Sequence, residues 1–339
     1  MRSVLNKHNM SFVFMLATVV ASAPLVQDTA RTPRTAADSA AAQALLAVRV
    51  SADRSSRAQY RVTRTRSSTR TLTPLREVPQ SITVLGPQIL RDLGLQTMAR
   101  AMEYVPGVTM GQGEGHRDAP TIRGQSTTAD FFVDGVRDDA QYFRDSYNVS
   151  QIEALKGANA LAFGRGGGGG VINRVMKQAE WTPTRSGRLQ SGSYDERRVA
   201  IDVGQGLTSQ LAARVNALHE RSGSYRDFVS HEKSGVSPTV ALHAGNTMLR
   251  AGVEHFVDTR TVDRGIPSAN GRPSALGWRT FVGDPEQNRS TMTVDGAHLL
   301  AEYDNSRGLT LRTHTRAVRY DKFYANVFAS SAVNAAGTQ

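Results

Sequence analysis

Two short polar stretches hold the side chains best suited to chemistry. One is Gly111-Gln112-Gly113-Glu114-Gly115-His116-Arg117-Asp118, and the other is Arg137-Asp138-Asp139-Ala140-Gln141-Tyr142-Phe143-Arg144-Asp145. His116 with Asp118, or Asp138 with Asp139, invites a metal reading. The spacing is poor for ligation and the carboxylates sit beside arginines, which would pair with them first. A solvated charged turn is the plainest alternative. His116, Arg117, Arg137, Tyr142 and Arg144 together suit a large anionic, aromatic ligand. Arginine supplies fixed charge, a planar fork of donors and a stacking face, and tyrosine supplies a ring and a hydroxyl. Asp138 and Asp145 then serve to orient the arginines.

The elements around these stretches read as a small mixed α/β region. Val78-Pro79-Gln80-Ser81-Ile82-Thr83-Val84-Leu85 predicts a strand. Gly86-Pro87 opens a helix with Ile89, Leu90 and Leu93 at helical spacing, and proline suits a first turn. A second helix is expected from Thr97 to Tyr104, stopped by Pro106-Gly107. Short strands follow at Thr121-Ile122-Arg123, Phe131-Phe132-Val133, Ile152-Glu153-Ala154-Leu155 and from Val171 to Met176. The run of glycines 166–170 has no Gly-Lys-Ser/Thr behind it and precedes a strand, so it predicts a tight internal turn and no phosphate loop.

Beyond Trp181 the signal is alternation. Val199, Ile201 and Val203 alternate with Ala200, Asp202 and Gly204. Leu249, Ala251 and Val253 alternate with Arg250, Gly252 and Glu254, and Gly245-Asn246 reads as a short turn. Apolar-out, polar-in strands suit a lipid-facing barrel with a wet lumen; a soluble sandwich also alternates. A long insertion from about 258 to 290 carries Arg260, Arg264, Arg272, Arg279 and Arg289 with Trp278 and Phe281.

The start of the chain has a different character. Arg2 and Lys7 precede an apolar core from Phe12 to Val20 and the small residues Ala21, Ser22 and Ala23, which predicts a secretory signal over 1–23. Cleavage after Ala23 would put Pro24 next, a poor residue there, and cleavage after Ala21 is the alternative. Residues 24–69 form a basic arm. Between 24 and 76 ten arginines stand against three aspartates, which is most of the net charge of +11. So few large apolar groups cannot offset the entropy of ordering. An exported arm with a single aromatic, Tyr60, argues against nucleic acid as a partner. Within it Leu46, Val48, Val50 and Ala52 stand at alternate positions, either an accidental cluster or a segment able to add a strand to a partner's sheet edge. With no cysteine there is no disulfide framework.

Several of these motifs carry a resemblance. Asp118-Ala119-Pro120-Thr121-Ile122-Arg123-Gly124, Phe132-Val133-Asp134-Gly135-Val136-Arg137-Asp138, Lys156-Gly157, and Phe163-Gly164-Arg165-Gly166 through Gly170-Val171-Ile172-Asn173 resemble the plug domain of TonB-dependent siderophore receptors, catecholate type. Pro74-Leu75-Arg76-Glu77-Val78-Pro79-Gln80-Ser81-Ile82 resembles the plug's start, and Val262-Asp263-Arg264-Gly265-Ile266-Pro267 also fits the family. Residues 46–52 are similar to its TonB box. Ala158 departs from the proline usual after Lys-Gly, which touches only a local turn.

The resemblance implies an α+β plug domain (70–180) followed by antiparallel transmembrane β-barrel strands (181–339), an incomplete barrel. About seven strands are expected here, against 22 in plugged transporters, so the chain is expected to be truncated. It further implies a cell outer membrane protein in contact with lipid, not an enzyme, with no resident cofactor or metal. The cargo would be a ferric siderophore, met by His116, Arg117, Arg137, Tyr142 and Arg144 beside the 258–290 loop. The partner would be TonB with its inner-membrane energising complex, met by Leu46, Val48, Val50 and Ala52. Another iron chelate, haem or cobalamin keeps the fold and changes the cargo; a non-transporting ligand-binding fragment is the other alternative. A hydrolase finds no Gly-x-Ser-x-Gly or His-Glu-x-x-His.

Overall fold

Two β-sheets of different character share the chain, one mixed and one a simple meander. The computed structural model describes residues 60–138, 140–164 and 168–333, all within the compact unit Asp53–Gln339. The expected signal, most of the basic arm, Leu46, Val48, Val50 and Ala52, and residues 165–167 of the glycine run lie outside the described residues.

Strands β1 (Arg64–Thr65) and β2 (Thr73–Pro74) pair antiparallel ahead of the first sheet. That sheet takes β3 (Ser81–Leu85). Helices α1 (Pro87–Asp92) and α2 (Met98–Met102) follow. Pro87 stands in the first turn of α1, and the Thr97 side chain accepts from the Arg100 N–H to cap α2. Thus α2 is shorter at both ends than expected. Its Met98, Ala101 and Met102 are buried at the predicted spacing.

A small three-stranded sheet is built from β4 (Val108–Met110), β5 (Pro120–Ile122) and β6 (Gln125–Ser126). Then come β7 (Phe131–Val133), β8 (Val136–Arg137) and β9 (Val149–Lys156). A short helix α3 (Ala160–Phe163) precedes β10 (Gly170–Met176). The order β3-β9-β10-β7-β8 is antiparallel except where β10 lies parallel to β7. Leu85, Phe131, Ile152 and Ile172 face the helices with Leu90, Met98 and Met102. Phe132, Leu155, Val171 and Phe163 form a second apolar layer. The glycine run ends the β9–β10 connection, with the Gly157 N–H donating to the Gly169 carbonyl at 2.8 Å.

The second sheet is an antiparallel seven-stranded meander. Its strands are β11 (Thr184–Ser191), β12 (Arg197–Gly206), β13 (Leu211–Ser222), β14 (His231–Ala244), β15 (Thr247–Thr261), β18 (Arg289–Asp304) and β19 (Thr310–Ala325). A small hairpin, β16 (Ser268–Ala269) with β17 (Arg272–Pro273), interrupts it. Connections at one end are short, at 207–210, 245–246 and 305–309. At the other end 192–196 is also short, but 223–230 and 262–288 are longer. Among the described residues the sheet does not close, and β11 and β19 are its edges.

Alternation places Val199, Ile201, Val203, Val215, Val240 and Val253 on the open face. The other face departs from the expected wet lumen. Leu218, Phe256, Met292 and Val294 are buried against Tyr142 and Tyr147 of the first module. The module fills the concavity, so part of the inner wall must be apolar to seat it. Gly235 on β14 admits the Tyr147 ring, since a Cβ there would lie 2.7 Å from a ring carbon.

Candidate functional site

Arg144 is the hub of the module's two polar stretches, one residue away from the strands through Asp138. Its side chain is fully buried, with the guanidinium 3.8 Å from the Phe131 ring centroid and 4.3 Å from that of Tyr142. Its Nε donates to Asp138 Oδ2 at 3.1 Å, and Nη1 and Nη2 donate to the carbonyls of Tyr142, Asp138 and Ala140 at 3.1, 2.8 and 2.7 Å. Its backbone N–H donates to Asp118 Oδ2 at 3.0 Å, so one arginine fastens the two polar stretches together. Such a flat, five-donor cation suits a site that lysine would not fill.

Asp138 collects the rest. Arg174 Nη2 donates to its Oδ2 at 2.5 Å and to the Tyr142 hydroxyl at 3.0 Å. Tyr142 donates to Oδ2 at 3.1 Å, and Tyr320 of β19 donates to Oδ1 at 2.5 Å. Burial alone would raise the Asp138 pKa, but Arg144, Arg174 and Arg316 outweigh it and hold the carboxyl well below its usual range. Burial pushes Tyr142 up to about 12, so its proton stays. At Asp118 burial wins over Arg144 and the pKa is raised.

A second network joins Asp145 to the strands. Arg198 meets it in a two-pronged pair at 2.8 and 2.9 Å and also holds Glu220, which in turn takes Lys233 at 2.9 Å and His231 at 2.6 Å. Nearer the short-turn end, Asp202 receives Lys177 at 3.0 Å and Arg214 at 2.7 Å, and Asn148 donates to Glu254 at 2.7 Å.

At the long-loop end the stretch 111–118 forms the module's apex. His116 is buried, its ring 4.0 Å from that of Tyr324, and Lys322 Nζ lies 2.8 Å from its Nδ1. An ammonium only donates, so Nδ1 accepts and the ring proton sits on Nε2. Burial, then Lys322 and Arg117, push the His116 pKa down to about 4 against the pull of Glu114, leaving it neutral near pH 7. Arg117 donates to Gln141 at 2.9 Å and pairs with Glu114 at 3.1 Å. Gln112 donates to the Asp263 carbonyl at 3.0 Å, and Arg226 pairs with the Asp263 carboxylate at 2.7 Å. Arg264 stacks on Phe328 at 3.9 Å.

The structure does not bring the five residues expected to meet the cargo to one open surface. Arg144, Tyr142 and His116 are buried among protein groups, because two loops and a strand wall close over them. Arg137 lies half-buried on β8 and donates to the Ala129 carbonyl at 3.2 Å. Arg117 alone of the five sits at the apex beside Glu114 with partial exposure of its side chain. Glu114, Arg174, Tyr320, Lys322 and Tyr324 went unread. The alternation Arg316, Val318, Tyr320, Lys322, Tyr324 along β19 was the available signal, since every second residue must share a face. Among the described residues no group of three or more His, Asp or Glu side chains is placed to hold a metal ion.

A further set of polar contacts lies before the first sheet. Glu153, in the middle of β9 and fully buried, accepts from Thr65 at 2.7 Å, from Ser67, from Gln151 at 2.8 Å and from Asn173 at 3.1 Å. Between them Arg66 reaches the other way, to Glu302 of β18 at 3.3 Å. Arg70 donates to the Ala162 carbonyl and lies 5.0 Å over Phe163.

Comparison with known proteins matches residues 74–171 to the TonB-dependent Receptor Plug Domain. The chain is 28% identical over 254 residues to the probable TonB-dependent siderophore receptor PiuA of Acinetobacter baumannii, covering 70% of this chain and 34% of that protein. It is 29% identical over 272 residues to the catecholate siderophore receptor Fiu of Escherichia coli K12, covering 74% and 36%. The chain thus spans about a third of the length of these curated relatives. In three dimensions it aligns with the closed form of the Fiu import receptor at a TM-score of 0.72 and 28% identity, over 78% of this chain and 40% of that one. With the crystal structure of PiuA the TM-score is 0.73 at 23% identity, over 78% and 39%.

Proposed function

We infer the function from the premise that this chain belongs to the TonB-dependent receptors, with its plug domain at 74–171 and the opening strands of a receptor sheet after it. It acts as an outer-membrane receptor that takes up a ferric siderophore of the catecholate class. It is not an enzyme, and TonB is its partner, engaged through residues 46–52.

The observation that carries this reading is the plug seated in the concavity of the strands by the Asp138 and Asp145 networks, with arginines gathered at the long-loop end. A tris-catecholate iron complex carries three negative charges. Entering a low-dielectric space, it needs fixed cations, since an unpaired buried charge costs several kcal/mol. Arg117 and Arg264 keep part of their side chains open there. The 29% identity to a catecholate siderophore receptor points the same way. A haem reading is weakened at His116, whose Nδ1 is taken by Lys322 and whose ring is buried.

The test is fractionation followed by binding. The chain is expected in the outer-membrane fraction, and there to bind a tripodal iron tris-catecholate in preference to a neutral iron tris-hydroxamate. Equal binding of both, or recovery of the folded chain in the soluble fraction, would overturn the reading.

A further inference from the structure

Glu114 stands where a ligand's charge would go. Its Oε1 lies 3.1 Å from Arg117 Nη2 and 3.9 Å from Arg264 Nη2, and its Oε2 lies 3.6 Å from His116 Nε2. The two arginines come from separate segments, the plug apex and the 262–288 loop, and this one carboxylate lies between them. It is also the most exposed member of the group, its side chain 37% accessible.

The backbone makes the placement unusual. Gly113, Glu114 and Gly115 all have positive φ, at 65°, 53° and 74°. That region suits glycine, and a glutamate held in it is strained. The loop is pinned on one side, because a Cβ on Gly115 would come within 2.6 Å of the Asp263 carbonyl oxygen. The backbone fixes where the side chain starts, and the carboxylate, facing two cations with open space beside it, can turn away from them while the loop stays pinned.

We propose that Glu114 is an internal stand-in for the anionic cargo and sets specificity by charge. In the empty receptor its carboxylate occupies Arg117 and Arg264. An incoming chelate must take those cations over, and Glu114 then either swings out or repels it. A chelate with several negative charges gains more from two arginines than a single carboxylate does. A weakly charged or neutral one does not, and is left outside. This inference rests on the siderophore reading above and names a specificity-determining residue within it.

The experiment compares the wild-type chain with Glu114→Gln and Glu114→Gly. Binding of a tripodal iron tris-catecholate, charge −3, and of a neutral iron tris-hydroxamate is followed by quenching of tryptophan fluorescence. Glu114→Gln is expected to bind the trianion about tenfold tighter, with the neutral chelate unchanged. Glu114→Gly, which also relieves the strained φ, is expected to gain at least as much, and it covers the case of a Gln variant that folds poorly. Weaker or unchanged trianion binding in variants that melt with the wild type would overturn the proposal, and weaker binding would make Glu114 an organiser of the arginines. Failure of the wild type to bind the trianion at all would remove the siderophore reading, and this inference with it.

Discussion

The Tyr320 hydroxyl on β19 donates to Asp138 Oδ1 at 2.5 Å, tying the last described strand to the same carboxylate that holds Arg144 and Arg174. The bond joins residues far apart in sequence, so it forms only when the plug is seated. Removing either end has a different consequence. Tyr320→Phe takes away one donor, and Asp138 keeps its arginines; the expected loss is about 1–3 kcal/mol. Asp138→Asn leaves the buried Arg174 guanidinium without its anion and Arg144 with Asp118 alone, for about 3–5 kcal/mol. Denaturant unfolding of the two variants should preserve that order, and an equal loss would mean that Tyr320 carries the seat.

Arg144→Lys keeps the charge and loses the plane. The ammonium cannot lie flat between Phe131 and Tyr142 while also reaching the carbonyls of Asp138 and Ala140. Each orphaned buried acceptor costs about 1–3 kcal/mol. The variant should unfold at lower denaturant than wild type and show faster hydrogen exchange in 137–145. A wild-type melting profile would show that charge alone suffices.

Two plug groups should bend the pH–stability profile in opposite directions. Burial raises the Asp134 pKa to about 7 from an unfolded value of 3.8. Its contribution is full below pH 3.8 and is lost as pH rises through 7. His116 goes the other way, pushed down to about 4 from 6.5. Its contribution is full above pH 6.5 and is lost as pH falls through 4. Relative to wild type, Asp134→Asn should flatten the decline on the alkaline side and His116→Phe that on the acid side. Unfolding midpoints measured from pH 4 to 8 decide it, and parallel profiles would refute the assignment.

Val50→Pro tests the proposal that residues 46–52 meet a partner. Proline removes an N–H that an added strand would donate. Uptake by the full receptor should fall while binding of the iron tris-catecholate at the surface is unchanged. Normal uptake would rule out strand pairing at 46–52.

Much of the framework was legible because it depends on local period. The strands from 199 to 253 and the helix with Met98, Ala101 and Met102 follow from spacing alone, and the seven-strand count agrees with the meander. The site was less legible. Arg117 and Arg144 look alike in sequence, each beside an aspartate in a polar stretch. One is partly exposed at the apex and the other is the most buried arginine of the plug. What separates them is long-range: Phe131 above, Tyr142 below and the wall of β19 beyond. No window along the chain contains those neighbours. Lumen-facing Leu218 and Phe256 were hidden for the same reason, since only a seated plug makes an apolar inner wall useful.

The contacts of Thr65, Arg66 and Ser67 have a mechanical consequence. They alternate, with residues 65 and 67 on Glu153 of the plug and 66 on Glu302 of the strands, and Arg70 fastened beyond them. A tension arriving from the N-terminal side meets these bonds one at a time, as a zip and not as a lap joint, so the force needed is that of a single contact. The steps at Thr65 and Ser67 also strip donors from a carboxylate buried mid-sheet. The plug would therefore yield first at Glu153 and its β10 neighbour Asn173, while the Asp138 network of Arg144 and Arg174 still held.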